Sequence, residues 1–132
     1  MLLQIYISAD EVRGSGSWVD NRSLDQAKDF LDGSQVSKFV DGLDIEAQID
    51  FYQKVGGLRI GDRGTSGTNL KHWEKDVYEV KFYKNRYRLF VLIHEDKCVL
   101  LYACQKQKNK TENVDSENVR NRANSVREKL EV

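Results

Sequence analysis

Residues 78–93, YEVKFYKNRYRLFVLI, form the most apolar part of the chain, yet they include four cations. Apolar and polar side chains alternate along most of this segment, which is typical of strands with one buried face. A Lys-Asn pair in the middle predicts a tight turn between two antiparallel strands. One side of the predicted hairpin faces a core, and the other side presents Lys81, Arg86 and Arg88.

Further strands are predicted on both sides of this hairpin. Residues 2–8 are rich in aliphatic side chains and predict a first strand. The two strands of the hairpin are predicted over residues 77–83 and 87–94, and residues 98–104 predict a third strand that extends the hairpin into an antiparallel meander. Strict alternation along the third strand places Tyr102 on the side of Lys81 and Arg88. The glycine-rich residues 56–71 lack the Gly-Lys-Ser/Thr ending of a phosphate loop and are interpreted as a surface loop.

Apolar spacing and capping residues predict the helices. A short helix begins at Ser23, and a bent helix or helical hairpin follows over residues 36–55, with a break at Gly42 and a stop at the 56–57 glycine pair. That second region includes an apolar stripe of Ile45, Ile49, Tyr52 and Val55. A last helix, capped by Asp115 or Ser116, carries a stripe of Val119, Ala123, Val126 and Leu130.

These elements predict a small α+β fold with an antiparallel sheet in the order β-α-α-β-β-β-α and helices packed on one face. With 132 residues, the chain is expected to be a single domain, residues 1–132. Residues 1–32 are interpreted as an N-terminal elaboration that either covers a sheet edge or docks a partner.

The composition favours a cytoplasmic protein without membrane association. No run approaches the roughly 18 apolar residues of a membrane helix, and the N-terminus lacks the features of a secretory signal. Cys98 and Cys104 would lie about 20 Å apart on one strand, which is too far for a disulfide. Without histidines nearby they also make a poor metal site, so we expect reduced thiols and no bound metal.

The zero net charge hides an asymmetry along the chain. Residues 1–66 carry 7 Lys/Arg and 11 Asp/Glu, whereas residues 67–132 carry 14 and 10. Residues 81–110 contain eight cations and two acids, which favours a surface for a polyanion such as RNA. The alternative is a solvated sheet face on which Glu79 pairs with Lys81 or Arg88.

The order of several short motifs resembles that of a known family. The stretches VYEVKF, RYRLFVLI, CVLLYAC, KQKNKT and RANSVR follow one another within residues 70–130. In this order and spacing they are similar to the RelE/HigB superfamily of toxins from bacterial type II toxin-antitoxin systems, and most similar to the phage-derived HigB-like branch.

The resemblance implies a function. Members of that superfamily are endoribonucleases that cut mRNA on the ribosome without a metal or organic cofactor, and a co-expressed antitoxin inhibits them. The expected partners are therefore mRNA on the ribosome and a cognate antitoxin, which we expect to be a helix-turn-helix protein. In the implied reaction the ribose 2′-OH attacks the adjacent phosphate.

The resemblance also implies roles for individual residues. Lys81 and Arg88 match cations expected to bind the phosphate and stabilise the transition state. Glu79 is expected to orient a cation or, as an alternative, to act as the base, and Tyr102 to donate or relay a proton. Further RNA contacts are predicted for Lys84, Arg86, Lys106, Lys108 and Lys110.

The sequence also departs from the superfamily pattern. Lysine stands at position 81, where arginine is usual, and lysine lacks the bidentate guanidinium fork that suits phosphate. A second hypothesis is therefore a catalytically weak or inactive relative that binds RNA or a protein. A third is an unrelated small interaction domain with a cationic surface.

Overall fold

The computed structural model describes residues 4–6, 35–59, 70–95, 97–105 and 113–130. The helix predicted from Ser23 lies outside these residues. The described elements are, in chain order, β1 (Gln4–Tyr6), α1 (Gln35–Asp41), α2 (Ile45–Arg59), β2 (Leu70–Glu74), β3 (Val77–Phe82), β4 (Tyr87–His94), β5 (Lys97–Gln105) and α3 (Asn113–Leu130).

The strands form one sheet in the order β1-β5-β4-β3-β2. Strands β2, β3, β4 and β5 pair with one another in antiparallel orientation, and β1 pairs with β5 in parallel. The Arg86 N–H donates to the Tyr83 carbonyl at 3.0 Å, and φ is 56° at Lys84 and 62° at Asn85. Positive φ at both central residues is the geometry of a type I′ hairpin turn. The predicted α+β class and the meander are confirmed.

Strand β2 was not predicted, because the sequence reading assigned its first residues to the preceding loop. Its side chains are exposed or only half-buried, so the segment LKHWE lacks the apolar alternation that marks a strand. Pairing with β3 makes it a strand, with Leu70 opposite Val80 and Lys71 opposite Glu79.

Helices cover both faces of the sheet, so the prediction that they pack on one face was wrong. Helices α1 and α2 pack on one face, where Phe51, Val80 and Leu89 belong to one buried cluster. Helix α3 packs on the other face, where Val119 shares a second cluster with Phe90. The reason is that β4 is apolar on both faces beyond Arg88, and the second face also requires cover.

A β-bulge in β5 changes the predicted alternation. Phe90 lies opposite Tyr102 while Val91 lies opposite Leu100, so Leu101 is an extra residue on β5. As a result Leu101 and Tyr102 both belong to the α3 side, whereas Ala103 faces α1 and α2. The prediction that Tyr102 shares a face with Arg88 is confirmed. Strict alternation along β5 would place Leu101 on the face of Ala103, and the bulge separates the two.

The helical hairpin breaks where predicted but ends later. Helix α1 ends at Asp41 and α2 begins at Ile45, which confirms the break around Gly42. The stop predicted at the 56–57 glycines was wrong, because α2 continues to Arg59. Each glycine costs a helix about 1 kcal/mol. Full burial of Leu58 and Val55, at about 1.5–3 kcal/mol each, outweighs that cost.

The apolar stripe predicted on α2 reaches the core only in part. Tyr52 and Val55 are buried, but Ile45 is 67% exposed and Ile49 is 51% exposed. The buried positions of α2 include Ala47 and Phe51 instead. The core face is therefore rotated relative to the predicted stripe.

The prediction that the two cysteines form no disulfide is confirmed. Cys98 and Cys104 are buried, and they belong to the clusters on opposite faces of the sheet. No helix in the described part of the chain is long and apolar enough to cross a membrane.

Candidate functional site

Two rows of side chains cross the sheet on its α3 side. In one row Lys81 lies directly opposite Arg88, and Arg88 lies opposite Cys104. In the adjacent row the order across the sheet is Lys71, Glu79, Phe90 and Tyr102. Directly opposite residues share a face of the sheet and lie about 5 Å apart. We call Lys71, Glu79, Lys81, Arg88 and Tyr102 the sheet site.

A buried ion pair lies at the centre of the sheet site. Arg88 Nη1 lies 3.3 Å from Glu79 Oε2, and the two residues are only 7% and 5% exposed. Buried charges persist when they are paired, because taking an ion out of water is costly. The alternative interpretation of Glu79 as a cross-strand partner is thus confirmed for Arg88, and the contact provides a basis for an orienting role.

Lys81 adds a second cation beside this ion pair. It is half-buried on β3, and within the described residues it makes no ion pair. Like charges directly opposite one another on neighbouring strands are destabilising, and Lys81 lies opposite Arg88. The single carboxylate of Glu79 cannot neutralise both, so the site carries excess positive charge that a bound anion would offset.

Lys71 is a cation of this site that the sequence reading missed. It lies opposite Glu79 on β2 and is exposed. Its pairing register was not visible because the strand itself was not predicted. Three cations therefore surround one carboxylate on this face.

Tyr102 contacts helix α3. Its hydroxyl donates to Asp115 Oδ1 at 2.9 Å, and the Arg122 guanidinium lies 5.5 Å from the ring centroid. Burial raises the pKa of Tyr102, and the hydrogen bond to Asp115 raises it further. The phenol is therefore a weak acid whose hydrogen is directed at a carboxylate.

Asp115 is the second residue that the sequence reading missed as part of a site. It was interpreted as a helix cap, but α3 begins at Asn113 and Asp115 lies in its first turn. One signal was available: Asp115 is four residues before Val119, which places it on the helix face that packs on the sheet.

Cys104 ends the row of Lys81 and Arg88. Burial raises its thiol pKa to about 12, with a further contribution from Asp115 and an opposing one from Arg88. At neutral pH the group is a protonated thiol and a poor nucleophile.

Lys84 and Arg86 do not belong to the sheet site. Both stack on the Tyr83 ring, with the Lys84 Nζ and the Arg86 Cζ atoms 5.5 and 5.6 Å from its centroid. Tyr83 itself bonds α2, through its hydroxyl to Glu46 at 3.2 Å and its N–H to Asp50 at 2.5 Å. We call Tyr83, Lys84 and Arg86 the hairpin tip.

The prediction that Arg86 shares a face with Lys81 and Arg88 was therefore wrong. Tyr83, Lys84 and Asn85 all have φ near +50° to +60°, so alternation does not continue through the turn. Lys106, Lys108 and Lys110 lie outside the described residues.

Two arginines of α3 make contacts within the fold. Arg120 binds Glu74 through three hydrogen bonds of 2.6–3.2 Å and stacks on Trp73. Arg127 binds Asp76 at 2.5–3.2 Å. The hydrogen bond from Arg120 lowers the pKa of Glu74. Both contacts attach α3 to the β2–β3 turn.

A family model covers most of this arrangement. The model described as "Phage derived protein Gp49-like (DUF891)" matches residues 38–124, which are 87 of the 132 residues. The chain belongs to this family. Gp49-like proteins belong in turn to the RelE/HigB-like toxin family, so the resemblance found in the motifs is confirmed at that level. The comparison with curated proteins finds no match.

The matched region includes all five residues of the sheet site, the hairpin tip and Asp115. Residues 1–32, predicted as an elaboration, lie outside it.

Proposed function

We propose that this protein is the toxin of a type II toxin-antitoxin system and acts as a ribosome-dependent mRNA endoribonuclease in the cytoplasm. Family membership supports the class of protein. The observation that carries the activity is Lys81 directly opposite Arg88, with Glu79 as the one carboxylate between them. Such a cluster favours a phosphate that gains negative charge during a reaction.

In the proposed reaction the ribose 2′-OH attacks the neighbouring phosphate, and Lys81 and Arg88 stabilise the phosphorane. Lys81 is the more exposed of the two cations and makes the first contact with the phosphate backbone of the RNA. Arg88 is held by Glu79, so its orientation is fixed before RNA binds. Lys71 extends the cationic surface along the same face. The reaction as proposed requires no metal or organic cofactor.

The remaining predicted RNA contacts act elsewhere in this proposal. Lys84 and Arg86 are exposed at the hairpin tip on the α2 side, where they can bind an RNA backbone separately from the sheet site. Lys106, Lys108 and Lys110 are proposed to bind RNA as well. The inhibitory partner is proposed to be a cognate antitoxin of the helix-turn-helix type.

A second candidate is a catalytically weak relative that binds RNA or a protein. Two observations favour it: lysine replaces the usual arginine at position 81, and Arg88 is buried in an ion pair. Both reduce bidentate contact with a phosphate.

The test adds purified protein to an in vitro translation reaction and maps the mRNA 5′ ends. We expect cleavage near the ribosomal A site, reduced about 10²- to 10³-fold in Lys81→Ala, the size of effect seen when one transition-state-stabilising group is removed. Lys38→Ala, which removes an exposed lysine of α1, is the matched control and should cleave normally.

Arg88 is tested by Arg88→Lys together with a circular dichroism spectrum, because truncation of a buried ion pair can unfold the chain. Intact mRNA and normal translation with the wild-type protein would contradict the proposed endoribonuclease activity. RNA binding without cleavage would support the second candidate. Full cleavage by Lys81→Ala would refute the site assignment.

A further inference from the structure

The hydrogen bond between Tyr102 and Asp115 gives the sheet site a second chemical character. The phenol hydrogen is directed at Asp115 Oδ1, 2.9 Å away, and the Asn118 side chain also hydrogen-bonds the phenol and lowers its pKa. The Tyr102 oxygen can accept a further hydrogen bond from a ligand. Tyr102 lies in the row next to Lys81 and Arg88. A substrate phosphate at the cations would therefore have a hydrogen-bond acceptor beside it.

Asp115 acts on the neighbouring row as well as on Tyr102. Its negative charge reaches Cys104, which lies directly opposite Arg88. The sheet site thus has an anion-binding side, formed by Lys71, Lys81 and Arg88, and Asp115 of α3 places a second carboxylate next to its Tyr102 side. A cleavage that begins by removing a proton from a 2′-OH requires both.

Other candidate bases in the described residues are poorly placed. Glu79 is buried in the ion pair with Arg88, and protonation would break that pair. The Cys104 thiol is protonated at neutral pH. His94 lies six residues from Arg88 along β4, about 20 Å away. His72 is bonded to the Lys75 carbonyl at 2.7 Å.

We infer that Asp115 is the positioning residue and final proton acceptor for Tyr102 in RNA cleavage. This inference rests on the proposed function. The 2′-OH gives its proton to the Tyr102 oxygen as the phenol proton passes to Asp115 Oδ1. The 2′-oxygen then forms a bond to phosphorus, and the bond from phosphorus to the 5′-oxygen breaks with its electron pair on that oxygen.

Solvent water protonates the 5′-oxygen, and the hydroxide so formed takes the proton from Asp115. The products are a 2′,3′-cyclic phosphate and a 5′-hydroxyl end, and the enzyme returns to its starting state. Glu79 keeps its ion pair with Arg88 throughout.

The first test measures single-turnover cleavage of ribosome-bound mRNA as a function of pH. Asp115→Asn keeps the side-chain shape but cannot accept the proton, so we expect cleavage at least tenfold slower at every pH tested. Asp115→Glu should restore part of the rate. Glu117→Gln removes an exposed carboxylate two residues further along α3 and should cleave like wild type.

The second test does not depend on cleavage. In protein with ¹³Cζ-labelled tyrosine, Tyr102→Phe assigns the Tyr102 resonance, and its titration is followed by NMR. We expect a pKa above the ordinary tyrosine value in the wild type and in Glu117→Gln, and a lower one in Asp115→Asn.

The outcomes are distinguishable. If Asp115→Asn lowers the Tyr102 pKa but cleaves at the wild-type rate, the contact is only structural and the inference is overturned while the proposed function stands. If the titration does not change, the pair does not form and the inference is also overturned. If the wild-type protein cleaves no mRNA, the proposed function fails and the inference fails with it.

Discussion

Residues 81–88 supply two cations to the sheet site and two to the hairpin tip, and the two regions hold them differently. Lys81 and Arg88 lie on neighbouring strands, half-buried and buried, around the carboxylate of Glu79. Lys84 and Arg86 are exposed and stack on one tyrosine ring. Burial, and not the number of charges, separates the two regions.

The difference sets how strongly each region acts on an anion. Charges near the surface are screened by salt over about 8–10 Å, whereas partly buried charges are screened much less. The sheet site is therefore suited to stabilising a localised charge, and the hairpin tip to a weaker, salt-dependent contact. Three measurements test this contrast.

The largest expected effect follows from removal of the carboxylate in the sheet site. Glu79→Ala removes the carboxylate that pairs with the buried Arg88, and we expect the free energy of unfolding to fall by about 3–5 kcal/mol. Urea denaturation measures this loss in the free energy of unfolding. Lys84→Ala, at the exposed hairpin tip, is the control and should change stability by less than about 0.5 kcal/mol. Similar losses in the two variants would remove the contrast between the regions.

An intermediate effect is expected at high pH from Cys104. The folded thiol has a pKa of about 12 against an ordinary value of 9.0, so the unfolded chain loses this proton first. The stability that the protonated thiol contributes is fully present below pH 9 and declines from pH 9 to 12, by up to about 1.4 kcal/mol per pH unit.

Denaturation curves across that range test the cysteine directly. Cys104→Ala should show a shallower decline than the wild type, because the titrating group is gone. Cys98→Ala, which removes the other buried thiol, should retain the wild-type contribution of Cys104. If the free energy of unfolding of Cys104→Ala declines with pH as steeply as that of the wild type, the prediction that burial raises the Cys104 pKa is contradicted.

The smallest effect is expected from the hairpin tip. Lys84→Ala/Arg86→Ala should weaken co-sedimentation with ribosomes a few-fold at low salt and much less at high salt, because counterion release accounts for such contacts. The rate of cleavage at saturating ribosome should not change. A loss of rate equal to that of Lys81→Ala would show that the tip belongs to the reacting site.

Elements whose pattern is local were predictable from the sequence. Alternation and the Lys-Asn turn predicted β3 and β4, and the stripe of α3 predicted its buried face correctly. Alternation also placed Lys81, Arg88 and Tyr102 on one face, and the structure brings them together. These features follow from the periods of strand and helix, which side-chain order along the chain records directly.

Only the tertiary structure decided the features that depend on a neighbouring element. Strand β2 exists through pairing with β3, and Lys71 enters the sheet site by that pairing. Helix α2 continues beyond the glycines at positions 56 and 57 because Leu58 is buried. The partnership of Asp115 with Tyr102 joins residues from a helix and a strand. Each of these contacts has its energy in burial or hydrogen bonding between distant segments, which no local period in the sequence encodes.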